Sequence, residues 1–425
     1  MTRRVIGCLV ATGLLAVALT ACWPFPPDVG EEIVRSSKPR EENPQVTEGE
    51  LAELVQGNTE FALDIFRVLR GAEGNLFFSP YSISLALAMA YAGARGSTAI
   101  EMAETLHFTL DQERLHAAFN ALALNLAQRG EESEGEFRLN VANSLWGQKG
   151  HPFLLDFLDV LSENYGAGVH LVDFMKNPEA CRRAINNWVS NETNGKIKDL
   201  IPPGAISSNT RLVLANAIYL KALWPVPFRK ELTVERPFYL LDGGEVTVPT
   251  METWLTTDYI QGDGYQAASL PLKGGCSMLV LVPDVSRYSE FEDSLDGTML
   301  GTIRASRERR LVHLFLPKFD YSSEFKLGGA LSTLGMGAAF GPDADFSGMD
   351  GTRDLWISEV AHKSFVAVDE LGIEAAGATA AILVVSPPPP PPAELRIDRP
   401  FIFLIQDDLT GTILFVGRVL NPVTR

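Results

Sequence analysis

Six consecutive prolines, Pro387 to Pro392, set the hardest limit on how this chain can fold. Proline offers no backbone N–H, so the run belongs to neither a helix interior nor a central strand. It favours a polyproline II rod of about 19 Å, at roughly 3.1 Å per residue. Any strand that precedes it must stop before Pro387. The preceding stretch is Ala375-Ala376-Gly377-Ala378-Thr379-Ala380-Ala381, followed by Ile382-Leu383-Val384-Val385-Ser386. Composition alone allows a linker or a short helix there, because alanine favours helix but gives almost nothing to pack. As a strand the segment would alternate faces. Ile373, Ala375, Gly377, Thr379, Ala381, Leu383 and Val385 share one face, all uncharged, and Glu374 falls on the other with Ala376, Ala378 and Ala380. Gly372, lacking a Cβ, can act as a hinge.

The start of the chain reads as an export signal. Arg3 and Arg4 precede an apolar run from Val5 to Leu19 that carries no charge. The run is short for a membrane span. Leu19-Thr20-Ala21-Cys22 resembles the cleavage box of bacterial lipoproteins, which implies a signal over 1–21 and a lipidated Cys22. A plain secretory signal is the alternative. Either reading puts the mature protein outside the cytoplasm. Residues 22–50 hold Pro24, Pro26, Pro27, Pro39 and Pro44 among polar residues and read as an unstructured tether. One domain is expected over 51–425.

The formal net charge of −17 argues against nucleic-acid binding, which needs a cationic face. No run of Lys and Arg reverses that locally. The remaining cysteines, Cys181 and Cys276, have no metal-ligand spacing, and whether they meet is open. No GxSxG, HExxH or phosphate-loop pattern occurs, so an enzyme is not expected, and no cofactor or metal is implied.

Helical patterns come early and strands late, an α+β order. Leu54, Val55, Phe61, Ile65 and Leu69 fit amphipathic helix. Asn75 to Phe78 reads as a short strand, and Ser79-Pro80 as the cap of a helix apolar nearly all round. Asn177-Pro178 opens another helix with the stripe Cys181, Ile185, Trp188, Val189 and a stop at Asn194-Gly195. Strands are expected near 211–220, 244–251, 278–282, 311–316 and 356–368. A closing hairpin, 401–405 and 413–419, turns at Gly411.

Several of these segments together resemble the serpin family, over roughly 51–422. They are Asn75 to Ser84; Ile185 to Ile201; Leu214 to Trp224; Ser358-Glu359-Val360-Ala361-His362-Lys363; and Asp398-Arg399-Pro400-Phe401 with Gly417 to Pro422. Each is a weak signal alone, but their order across the chain is specific. The resemblance implies a large, mainly antiparallel central sheet with further sheets, eight or nine helices, and an exposed reactive centre loop over about 370–397. It implies a shutter at Ser79, Ser82, Asn216 and His362, and a breach that includes Trp224. The loop hinge would be Glu370, Gly372, Ile373, Glu374, Ala375, Ala376, Gly377, Ala378 and Thr379.

The implied activity is inhibition of an extracytoplasmic serine protease, elastase-like, subtilisin-like or chymotrypsin-like. The protease would be trapped as an acyl-enzyme while the cleaved loop slides into the sheet. Small side chains suit that passage, because a packed interior tolerates little added volume. The family's spacing puts the scissile residue at Ser386 or one residue earlier; Ser386-Pro387 is a poor bond for most serine proteases, so Val385-Ser386 is the expected cut, with Val384-Val385 as runner-up. Inhibitors usually carry Thr or Ser where Ile373 stands, which implies slower or altered insertion. The alternative is a non-inhibitory member acting as a binding or chaperone-like module. The expected partners are a target serine protease and, through the anchor, a membrane; the expected state is a monomer.

Overall fold

The computed structural model describes residues 30–133, 135–373 and 391–423. Among them are ten α-helices: α1 (Glu48–Leu69), α2 (Pro80–Tyr91), α3 (Gly96–Leu106), α4 (Gln112–Glu132), α5 (Leu155–Tyr165), α6 (Pro178–Glu192), α7 (Tyr288–Ser294), α8 (Gly297–Ala305), α9 (Gly328–Thr333) and α10 (Ser347–Asp350). The strands are β1 (Glu32–Val34), β2 (Leu76–Phe78), β3 (Phe137–Gln148), β4 (Val169–Val172), β5 (Leu212–Leu223), β6 (Val234–Tyr239), β7 (Glu245–Gly262), β8 (Tyr265–Leu272), β9 (Cys276–Pro283), β10 (Glu308–Pro317), β11 (Phe319–Lys326), β12 (Ile357–Val368), β13 (Gly372–Ile373), β14 (Ala393–Arg396), β15 (Phe401–Asp407) and β16 (Ile413–Val419). The α+β order expected from sequence holds. The eight or nine helices implied by the resemblance are matched by the longer ones; α9 and α10, of six and four residues, are short turns that bring the count to ten.

A seven-stranded sheet runs β1-β4-β3-β5-β13-β12-β11, and a second runs β14-β10-β7-β8-β9-β15-β16-β2 with β6 on β7. The first is mainly antiparallel; β3 with β4 and β5 with β12 are its parallel pairs. Register gives this sheet two ends. At the upper end Phe137 faces Ala222, and at the lower end Gly147 faces Leu212.

Helix α2 lies between the sheets, against β3, β5 and β16. Ser79 starts it: its side chain accepts from the Ser82 N–H, and Pro80 takes the first position, where an N–H has no helical partner. All twelve of its residues are buried, as its all-round apolar pattern requires.

Helix α6 covers the other face of the sheet. Cys181, Ile185 and Val189 join Trp146, Val213, Ala215 and Ala361 in a separate apolar cluster, with Ile197, Leu200 and Ile201 from the segment that follows. That segment turns through Asn194 and Gly195, both at positive φ, as the expected stop requires. Asn186 ties it back, donating to and accepting from the backbone of Ile201 at 2.9 and 2.8 Å. The Lys363 ammonium on β12 donates to the Lys198 carbonyl at 3.0 Å.

Residues 30–47 depart from the expected unstructured tether. Strand β1 pairs with β4 at the sheet edge, Glu32 opposite Leu171. Lys38 reaches Asp159 and Glu163 at 3.0 Å, and the half-buried Arg40 guanidinium donates to Asn120 at 2.8 Å. The partners lie more than 75 positions away, so no local composition could reveal them. Thr47 and Glu50 then form a reciprocal capping box that opens α1 at Glu48.

Candidate functional site

The alternating ribbon enters the description only at its first residues. Strand β12 ends at Val368, the chain turns through Asp369-Glu370-Leu371, and it returns as β13 between two other strands. Gly372 faces Leu223 and Ile373 faces Ala222 on β5, while Ile373 also faces Val368 on β12. Lower down, β5 and β12 pair directly, from Leu212 and Ile357 to Ile218 and Ser364. The direct pairing ends there. The sheet is therefore forked, and β13 sits in the fork.

Gly372 is required at this place. Its φ is +151°, and a Cβ would stand 2.3 Å from the Ala222 carbonyl oxygen. Ile373 is 2% exposed and belongs to the main core. Trp224 holds the turn from beside it. Its indole N–H donates to the Asp369 carbonyl at 2.9 Å, and its backbone N–H to that of Leu371 at 3.0 Å. The Phe228 N–H donates to the Glu370 carbonyl at 2.8 Å. The Glu370 side chain is buried and accepts from Lys318 at 2.7 Å and from the Thr233 hydroxyl at 2.9 Å. Burial opposes its ionisation, but these donors win and hold the carboxyl below its usual range.

A second cluster lies six residues down β12, a distance of about 20 Å at roughly 3.3 Å per residue. Here His362 faces Asn216 across the parallel pair, above the start of α2. The Ser79 N–H donates to Nε2 of His362 at 3.1 Å, and Nδ1 meets the Asn216 carbonyl oxygen. The Asn216 amide donates to the Ser82 carbonyl and hydroxyl, both at 2.7 Å. The Ser79 hydroxyl donates to the Leu414 carbonyl at 2.6 Å, bridging to the second sheet. His362 is fully buried, which pushes its pKa down to about 3. The structure thus brings Ser79, Ser82, Asn216 and His362 into one network.

Asn143 completes that network and was missed in the sequence. It sits on β3 opposite Asn216, donates to the Ser82 carbonyl at 3.1 Å, and accepts from the Asn216 amide. Nothing local marks it, since β3 carries no strong strand pattern and only the register brings it there.

Cys181 and Cys276 are both free and buried, so they do not meet. Burial raises their pKa to about 11 and about 12, which makes them inert thiols. No group of side chains suited to a metal occurs among the described residues. Of the residues expected from sequence, Cys22, Glu374, Ala375, Ala376, Gly377, Ala378, Thr379, Val384, Val385 and Ser386 lie outside the described residues.

Comparison with known proteins is uniform. Residues 56–422 match the family model described as serpin, serine protease inhibitor. Mouse leukocyte elastase inhibitor A is 39% identical over 385 residues, covering 88% of this chain and 100% of the relative. An uncharacterised serpin-like protein of Thermococcus kodakarensis is 38% identical over 379 residues, 88% of this chain and 87% of that one. Among solved structures, the thermophilic serpin tengpin in its native state superposes with a TM-score of 0.81 at 28% identity, over 92% of this chain and 100% of that chain. Uncleaved ovalbumin gives 0.78 at 27%, over 87% and 100%.

Proposed function

The chain belongs to the serpin family, a family of protease inhibitors rather than enzymes, and from that premise we propose that it is a suicide inhibitor of a serine protease outside the cytoplasm. The observation that carries this reading is the fork. Gly372 and Ile373 already pair as a strand between β5 and β12, and the parallel pair beneath them is the one a longer strand would separate.

The chemistry belongs to the target. Its serine oxygen attacks the scissile carbonyl, the peptide C–N bond breaks, and the new amine leaves with a proton from the target's histidine. The loop is then joined to the protease by an ester and free at its other end. Zipping the uncharged ribbon down the fork drags the ester-linked protease with it before water can release it. Ribbon length limits the travel: from Ile373 to Ser386 is about 46 Å at roughly 3.3 Å per residue, and Pro387 cannot follow.

Val385 and Ser386 at the proposed cut, with Val384 the alternative, suit a small apolar specificity pocket. The elastase inhibitors among the relatives support that class of target. Ile373 is larger than the Thr or Ser usual at this place, but its side chain is already seated in the core, so the first step of insertion does not have to bury it. Cys22 would carry a lipid and hold the domain at a membrane. Among the described residues no helix is long and apolar enough to cross one.

The test is incubation with an elastase followed by a denaturing gel. A covalent band of summed mass is expected. Ala375→Arg should convert the inhibitor into a substrate, because a guanidinium would have to enter the core face. Cleavage without any complex in the parent protein would remove the inhibitory reading and leave a binding module.

A further inference from the structure

We propose that the lower pole of the molecule, around Leu155 and Met175, rests on the surface of a lipid bilayer, so that the loop-bearing end faces away from it. The inference builds on the proposed lipidation of Cys22 and adds a direction to it.

The first observation is where the chain enters the body. Strand β4 runs parallel to the lower part of β3, Val169 with Leu145 down to Val172 with Gln148. Strand β1 runs against β4, so Glu32 lies below Val34. Gly30, held by the Lys149 ammonium through its carbonyl, is therefore at the lower end. The fork with Gly372 and Ile373 is at the upper end. From Phe137 to Gln148 the sheet spans eleven residue steps, about 36 Å at roughly 3.3 Å each. Only eight steps separate Cys22 from Gly30, a reach of at most about 28 Å. A lipid on Cys22 holds the lower pole near the headgroups.

The second observation is what that pole exposes. Leu155 is 72% exposed and Met175 56%, and Leu154 and Ile33 are also exposed. Leu154 and Leu155 open α5 just after β3 ends, and Met175 follows β4, its N–H bonded to the Gln148 side chain at 3.1 Å. These large apolar residues from three segments share one end of the molecule. Lys176, next in the chain, has a side chain 80% exposed and pairs with Asp173 at 3.1 Å. Several carboxylates nearby already have partners: Glu31 with His170, Asp350 with His151 and Asp173 with Lys176. Exposed Leu and Met suit the headgroup boundary, and a weak apolar contact becomes effective when a lipid chain already holds the protein there. The overall charge of −17 makes apolar contact, not attraction to anionic lipid, the source of any affinity.

The experiment is fluorescence quenching by spin-labelled lipid in vesicles of phosphatidylethanolamine and phosphatidylglycerol. One fluorophore is placed at the lower pole by Asp156→Cys and another near the upper end by Val226→Cys; the two native thiols of the domain are buried. The full chain is anchored in two ways: by its own N-terminus, or, with Cys22→Ser, by a polyhistidine tag inserted at Gly30 on nickel-chelating lipid. Quenching is expected at 156 and not at 226 in both arms. Adding Leu155→Glu with Met175→Glu should abolish it in the tagged arm. Equal quenching at both positions in the tagged arm overturns the pole assignment. Loss of quenching in the native arm alone, with no acyl mass on the N-terminal peptide, overturns only the lipidation of Cys22.

Discussion

The Ser79 backbone N–H donates to Nε2 of His362 at 3.1 Å, so this imidazole is an acceptor on that side and carries its proton on Nδ1, toward Asn216. A second proton on Nε2 would face a fixed donor inside the core. Burial holds the pKa at about 3, against an ordinary value of 6.5. The unfolded chain takes up the proton below about pH 6.5 and the folded one does not until about 3. Stability is therefore complete above pH 6.5 and declines as pH falls through that window, by on the order of a few kcal/mol. His116, lowered to about 4 by burial, acts in the same direction. Urea midpoints measured from pH 7.5 to 4.5 should fall, and less steeply in His362→Gln. An equal slope in that variant would remove His362 from the account.

Asn143→Ala should destabilise the protein by about 1–3 kcal/mol, because it takes a hydrogen-bond partner from the buried Asn216 amide and Ser82 carbonyl. A urea titration checks the size, and Asn143→Asp should not rescue it, since a carboxylate cannot donate to the Ser82 carbonyl.

Gly372→Ala should unseat β13. The added methyl meets backbone atoms of Ala222 and Leu223 at 2.3 and 2.6 Å, which cannot retreat without opening β5. A cost of about 1–3 kcal/mol is expected. Limited proteolysis should then cut near Leu371 sooner than in the parent.

Lys318→Met leaves the buried Glu370 carboxylate with the Thr233 hydroxyl but without its cation. A loss of about 1–3 kcal/mol is expected, discounted because Lys318 is one-third exposed. Lys318→Met with Glu370→Gln should recover part of it. Equal melting of the single and double variants would mean that the ion pair does not hold this turn.

Nicking the chain near Ser386 should raise the melting temperature, because the freed ribbon can complete a strand between β5 and β12. A nicked protein that melts no higher than the intact one would leave the fork without a driving force.

What the sequence revealed is what is decided locally. Ser79-Pro80 caps α2 by a contact three residues long, and the all-round apolar α2 could only be buried. The stripe of α6 and the turn at Gly411 are equally local. The strand at β1 is three residues, and its order comes from β4 and from ion pairs to α5, so a proline-rich polar stretch looked unstructured. Asn143 joins the serine and histidine cluster only through the β3–β5 register. The network of Ser79, Ser82, Asn216 and His362 was reached through resemblance, not from the residues themselves, since their separations in sequence are too large for any pattern.

The segment after α6 lies over the lower half of the two central strands, where Ile197 and Leu200 press on Val213, Ala215 and Ala361. A strand growing downward from the fork would meet little obstruction at first and this lid later. Resistance would then rise along the path, making α6 and its tail a brake at the end of travel. How far a captive protease is carried would be set there as much as by the proline stop.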